Sequence, residues 1–480
     1  MREKKFVDIT LKICTALLLA VALVLTFTVS DYYVFNRFNE FNDAFIVSQW
    51  IKKAGLLLLP LAVFYKKRSC SDIAKFVLPI FVILSCFTYG SFFDITMLTE
   101  SATPAEKVFA SLNEFIPKAA NMAMFFISNA LYIIICVLLF VRDGWQVNLK
   151  SFKWFPAAMV AAMPLNIFEN FFDINKIPEN SFLRFKNFTI WHFLALAILV
   201  GFTVGAYFFL KKKDKQKQHE YLAALAIVLL IQYHSKDSVI MGDGYNVYNT
   251  VFSCLPLFIC NIGVYVAAIS VLTKKRVLYA ISFFIHAAGA LTVFVYFGKD
   301  SMSNYGIFCS YSILFFCLTH CLLFALCVLP STLGHYKFKP KDCLIPLIYY
   351  CMVIVVAAVA SGLLTTFLES YSYEGYTVTI GEYGTGADMA PLNFSFTQVN
   401  PLPIPFDYIP FKIGSCTFYL SYLIALYVAY VGLFWIFTGG YYAFLAIRRR
   451  IYGGQRRTTA KEQLPEDANL EAAITDENEQ

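Results

Sequence analysis

Charge is scarce in this sequence. Only 15% of its 480 residues are Asp, Glu, Lys or Arg, against about 25% in soluble proteins. With 59% hydrophobic residues and a mean hydropathy of +0.61, that scarcity excludes a water-soluble globular chain. The weak alternating segments of a β-barrel are missing too, so helices must satisfy the backbone in lipid. Walker, Rossmann, HExxH and GxSxG motifs are absent, which argues against nucleotide-driven or zinc chemistry. Nothing here calls for a cofactor or a metal. The 13 cysteines form no CxxC pair and no Cys/His zinc spacing. Most lie inside apolar runs, where a thiol packs as a small hydrophobe. No stretch outside those runs interleaves basic and aromatic side chains, so nucleic acid is not an expected partner.

Apolar runs of about 20 residues recur from end to end, each long enough to cross a bilayer as a helix. The fold class read from them is all-α, a polytopic transmembrane bundle of about twelve spans. These cover roughly 10–30, 43–65, 76–94, 118–141, 154–174, 189–210, 219–236, 250–272, 277–297, 307–329, 343–366 and 413–440. The basic segments "MREKK", "YKKRSC", "RDGWQVNLKSFK", "KKKDKQKQ", "TKKR", "GHYKFKPKD" and "IRRRIYGGQRR" all fall between spans on one side. The positive-inside rule then puts both termini in the cytoplasm of a multi-pass cell-membrane protein. The first run reads as an uncleaved span, since no A-x-A site follows it. The charged segment 450–480 reads as a disordered tail. The long loop 367–412 is either a lid or an external cover.

Two stretches are alike: "FNDAFIVSQWIKKAGLLLLPLAVFYKKR" (41–68) and "YNTVFSCLPLFICNIGVYVAAISVLTKKR" (248–276). Downstream, Gly90 falls on Gly298, and "FFISNALYIIICVLL" on "FFCLTHCLLFALCVLP", with Cys136 over Cys327. Paired spans share one orientation, so a parallel tandem duplication is expected, with copies at 1–175 and 189–440. Cys260 and Asn261 are matched by Lys52 and Lys53, and His320 by Asn129.

Cys260 lies about ten residues into its span and His320 about thirteen into another running the same way. At ~1.5 Å rise per residue their depths differ by only about 5 Å. An imidazole within the membrane is a functional candidate, and a base beside a thiol makes it a nucleophile. The amide of Asn261 could orient that imidazole or donate to an oxyanion. Against this stands the plain reading, in which Cys260 fills space and His320 bonds a neighbouring helix. His286, followed by small residues in "FFIHAAGALTVF", reads as close helix packing. Glu169, Asn170 and Asp173 mark a water boundary. Lys52 and Lys53 should snorkel or pair with acids. Gln232 and His234 close the seventh span and should face water.

The second half resembles the YwaF-like bacterial membrane proteins and their animal relative, transmembrane protein 164. The resemblance rests on His192 in "FTIWHFLALAILV", on Leu255, Pro256, Leu257 and Cys260 in "CLPLFICN", and on His320 in "FFCLTHCLLF". It covers about 185–440. It implies an acyltransferase in which Cys260 takes an acyl chain as a thioester and His320 serves as base. The acceptor would be a lysophospholipid, with Asn261, His192 and Thr319 lining the site. A membrane phospholipid is the implied partner, and a homo-oligomer stays open. This sequence departs from the family motifs at Phe258, where the family carries a His, and at Thr319, where it carries Ser. Two other classes remain open, a non-catalytic lipid-binding protein and a small-molecule transporter.

Overall fold

The structure is a computed structural model. It describes residues 2–27, 43–87, 103–105, 107–108, 118–165, 177–178, 181–240, 255–295, 307–381, 386–398 and 406–462. The chain divides into two compact units, Met1–Tyr427 and Val428–Gln480. In order, the helices are α1 (Arg2–Phe27), α2 (Asp43–Val63), α3 (Arg68–Phe87), α4 (Lys118–Asp143), α5 (Phe155–Ala161) and α6 (Ile190–Lys211). There follow α7 (Lys215–Ile240), α8 (Ile259–Thr273), α9 (Arg276–Val295), α10 (Tyr311–Thr332), α11 (Leu344–Ser370) and α12 (Leu420–Glu462). Eight of these, among the described residues, are long and apolar enough to cross a membrane. The chain is an all-α polytopic protein, apart from the small antiparallel hairpins β1–β2 (Ser372–Tyr373, Tyr376–Thr377) and β3–β4 (Pro410–Ile413, Cys416–Tyr419). Gly90, Gly298, Glu169, Asn170 and Asp173 lie outside the described residues, as does the tail beyond Glu462.

Apolar side chains face outward along α4, α6 and α11, for example Phe126, Ile133, Phe193, Phe208, Met352 and Val359. Water would not tolerate so continuous a surface, whereas acyl chains solvate it. Burial ranks the helices. In α9 72% of the apolar window is inside the protein, against 22% in α6. α9 is therefore central, packed between α8, α10 and α11.

Contacts gather the basic loops at one end. Lys66 pairs with Asp8 of α1 at 3.5 Å, and Lys67 with Glu220 of α7. Arg68 bonds the carbonyls of Asp143 and Gln146, and Arg276 pairs with Asp342 at 2.5 Å. We call this the basic end. Lys66 and Lys274 both turn the chain in the left-handed region, at φ 52° and 58°.

Two findings revise the expected spans near the opposite end. First, in the run expected as a helix over 250–272, the described residues 255–258 are not helical and the helix begins at Ile259. Pro256 donates no backbone N–H and biases the residue before it toward extended backbone. A tight turn follows, with Leu257 N–H on the Leu255 carbonyl at 2.8 Å, and Phe258 caps the helix in extended conformation. Cys260 and Asn261 therefore stand in a first helical turn, not in mid-helix. Second, part of the 367–412 loop enters the bundle. Leu392 N–H bonds Thr365 Oγ1, and Phe394 N–H bonds Ser361 Oγ, each at 3.0 Å. Ser361 is nine residues before the end of α11, about 14 Å along the axis. Irregular backbone survives at such depth only when protein surrounds it, and Phe394, Ser361 and Thr365 are all fully buried. The β3–β4 hairpin packs on α11 beside this loop. Gly362 is what lets it close, since a Cβ there would lie 2.6 Å from the Ile413 carbonyl.

Candidate functional site

The inserted loop meets the start of α8. Ser395 donates its hydroxyl to the Leu257 carbonyl at 2.6 Å. Phe258 is wedged between Phe394 and Phe396, with ring centroids 6.0 Å from each, both edge-on. Ser395 and Phe396 hold left-handed backbone, φ 50° and 59°, a conformation that costs energy for residues with a side chain. The loop's anchors on α8 and α11 hold that conformation in place.

Below Phe258 the helix begins. The first intrahelical bond there is Ile262 N–H to the Phe258 carbonyl, 2.9 Å. The amides of Ile259, Cys260 and Asn261 are thus the unpaired donors of a helix start. A thiolate or oxyanion at Cys260 would sit in the positive field of that terminus. Cys260 is a free thiol, partly exposed. Asn261 is half-buried beside it.

Among the described residues no hydrogen bond joins Cys260 to His320, but the two share a depth. α9 serves as the ruler. Ser282 of α9 donates to Cys327 of α10 at 3.1 Å, and His286 of α9 lies against Gly263 of α8. Counting at about 1.5 Å per residue, Cys260 and His320 each lie ~10 Å beyond the Ser282 level. α8 and α10 pack directly on one another. The His320 Nδ1–H donates to the Phe316 carbonyl at 2.9 Å, and its ring stacks on Phe316 with centroids 4.1 Å apart. A neutral imidazole that donates through Nδ1 carries its basic lone pair on Nε2. Thr319, next to it, has a buried hydroxyl with no hydrogen-bond partner.

His192 behaves differently. Phe188 N–H donates to its Nδ1 at 2.9 Å, and its Nε2–H donates to the Phe294 carbonyl at 2.7 Å. Both ring nitrogens are committed to backbone, so His192 ties α6 to the end of α9. Phe294 in turn stands edge-on to His320, centroids 6.3 Å apart.

His286 was read as packing, and it does pack: a Cβ on Gly263 would meet its Nδ1 at 2.6 Å. It also sits in a π-helical turn, Ser282–His286, a feature found often at functional sites. Its one sequence signal was an imidazole in a fully apolar run. Elsewhere, Gln232 does not face water. It is buried and donates to the Ala161 carbonyl at 2.6 Å. His234 is half-buried and bonds Tyr265 Oη at 3.1 Å. Lys52 and Lys53 are buried. Among the described residues no cluster of His, Cys, Asp or Glu could hold a metal.

No curated protein and no solved structure gives a significant match to the chain. The sequence model of the TMEM164 family matches residues 187–437, which takes in α6 to α11, the inserted loop and every candidate residue above. The chain is therefore a multi-pass membrane protein that belongs to the TMEM164 family.

Proposed function

We propose that the protein is a membrane-embedded lipid acyltransferase that carries its acyl group on Cys260. The observation that carries this reading is the position of Cys260, a thiol in the first turn of a helix inside an apolar bundle. There the unpaired amides can receive the oxyanion of an attacked ester. His320, at the same depth on the neighbouring helix, serves as base.

In the transfer half-reaction a lysophospholipid hydroxyl gives its proton to His320 Nε2. Its oxygen attacks the Cys260 thioester carbonyl. The C–S bond breaks, and the leaving sulfur recovers the proton from the imidazolium. On this reading Asn261 and Thr319, whose buried hydroxyl has no partner, bind the lipid's polar atoms. His192 contributes by fixing Phe294 beside His320. With the basic end in the cytoplasm, as the positive-inside rule requires, the site falls in the outer half of the cell membrane.

The test is transfer in proteoliposomes from a phospholipid with a deuterated acyl chain to a lysophospholipid, followed by mass spectrometry. The wild type should form labelled product, and Cys260→Ala should lower the rate at least about 100-fold. Equal transfer by both would refute the reading. No transfer by either, with lipid still bound, would favour a non-catalytic lipid-binding protein.

A further inference from the structure

We propose that Ser395 is a positioning residue of this site: by holding the Leu257 carbonyl it stops α8 from starting one residue early, and so keeps the Asn261 amide as an oxyanion donor; the inference rests on Cys260 being the acyl carrier.

Two starts are open to α8. With Phe258 extended, at ψ 144°, the first helical bond runs from Ile262 N–H to the Phe258 carbonyl. Were Phe258 to turn helical, the ladder would gain one bond, from Asn261 N–H to the Leu257 carbonyl four residues back. Nothing local forbids it. Phe258 already has a helical φ of −83°. Pro256 would then stand just ahead of the cap, where its missing N–H is not needed. An apolar bundle also favours every backbone bond it can form.

The structure nevertheless holds the shorter start. Ser395 donates its hydroxyl to the Leu257 carbonyl at 2.6 Å, and the Phe258 ring stands between Phe394 and Phe396. Among the described residues the Asn261 amide bonds no backbone carbonyl.

The inserted loop is built to present that hydroxyl. Ser395 sits at φ 50°, ψ 28°, a conformation that glycine adopts freely and serine only at a cost. Bonds on both sides keep it there. Phe394 N–H is on Ser361 Oγ, Phe396 N–H on the Asn393 carbonyl at 3.2 Å, and Thr397 N–H on the Phe394 carbonyl at 3.1 Å. Tyr422 Oη–H holds the Phe396 carbonyl at 2.6 Å. A glycine at 395 would satisfy this turn but not the Leu257 carbonyl. What the strained serine adds is a donor aimed at α8.

The consequence for the chemistry is local. Asn261 follows the thiol residue, and the N–H after a nucleophile is a proven place for an oxyanion donor. In either half-reaction the attacked carbonyl oxygen takes up the electron pair of its π bond. It returns that pair as the C–O or C–S bond breaks. The Asn261 N–H donates to the oxygen in between and keeps its proton. In the longer helix the same N–H would be occupied by Leu257.

The test compares the wild type with Ser395→Gly, which removes the donor and relieves the backbone, and with Ser395→Ala, which removes the donor alone. Two quantities are read in the full chain. One is hydrogen exchange at the single Asn261 amide, in detergent without lipid substrate. The other is the kinetics of acyl transfer in proteoliposomes. Both variants should slow Asn261 exchange about tenfold or more, because that amide enters the helical ladder. Both should lower kcat about tenfold or more with KM unchanged. If one variant does not fold, the other carries the test. A serine that only anchored the loop would give the opposite sign, faster exchange at Asn261. Faster or unchanged exchange would overturn the inference, and so would slowed exchange with a normal kcat. Slowed exchange in a protein that transfers no lipid would keep the role of Ser395 at the start of α8 and sink the acyltransferase reading. Wild-type exchange and kcat in both variants, with Cys260→Ala inactive, would do the reverse.

Discussion

The two halves of the chain meet the same local problem with different residues. In α4, Asn129 donates Nδ2–H to the carbonyl of Phe125, four residues back, at 3.1 Å. In α10, His320 makes the matching bond to Phe316 at 2.9 Å. Both carbonyls belong to a Phe of an "FF" pair, the first Phe in α4 and the second in α10. Asn129 spends its remaining oxygen on Ser85 of α3 at 2.8 Å, and no basic atom is left. His320 makes the same bond with a ring that carries a second nitrogen, of a basic type.

Other positions follow the pattern. Lys66 and Lys274 share left-handed turns, as do Gly144 and Gly334 at the ends of α4 and α10. Cys136 contacts the Lys75 carbonyl, and Cys327 contacts Ser282, on equivalent turns of α3 and α9. α1 packs on α4 as α7 packs on α10. These correspondences support a tandem duplication, which we propose as the origin of the two halves. All six histidines lie in the second. The first instead buries charge at its basic end, where Lys75 stands 3.9 Å from Asp72, both side chains fully enclosed. On the proposed function, the second copy is the one that carries the chemistry.

The largest expected effect comes from exchanging residues between copies. His320→Asn should retain the bond to Phe316 and with it the thermal stability, while acyl transfer falls about 10²- to 10⁴-fold. Asn129→His should leave transfer unchanged. A stable His320→Asn protein with full activity would mean the two positions do not differ in function. Next comes the buried charge of the first half. Asp72→Ala leaves the enclosed Lys75 without its nearest carboxylate, held by the Gly144 carbonyl at 3.2 Å, and should cost about 3 kcal/mol in a denaturation experiment. A loss below about 1 kcal/mol would show that Lys75 finds other partners.

Ser395→Ala removes one anchor of the inserted loop and should cost about 1 kcal/mol. Its signature is faster hydrogen exchange confined to 389–397. Uniform acceleration across the bundle would mean the loop is no separate element. The smallest effect concerns His335, which follows Gly334 where Trp145 follows Gly144. Burial, then Lys215 and Lys274, hold its pKa below the ordinary histidine value. The unfolded chain therefore binds the extra proton first, and stability at this loop falls as pH drops below about 6.5. Exchange in 333–339 should rise from pH 7 to pH 5, and His335→Gln should abolish that rise.

Much of this organisation was legible in the sequence. Apolar length gave the helices, and the KKR clusters marked one end, because a bilayer imposes both. The start of α8 was not legible, since "FSCLPLFIC" is apolar throughout and only Pro256 hints at a break. Nor was the inserted loop, whose anchors Ser361 and Thr365 look like ordinary polar residues of a membrane helix. His286 was visible, but its contact with Gly263 depends on how α8 and α9 pack, which no spacing along one chain encodes.

The most direct measurement is the mass of the Cys260 peptide after the purified protein meets phospholipid vesicles. A single fatty-acyl adduct on Cys260, removed by neutral hydroxylamine and accumulating in His320→Gln, is the predicted result. An unmodified Cys260 peptide under conditions where the protein transfers acyl chains would contradict it.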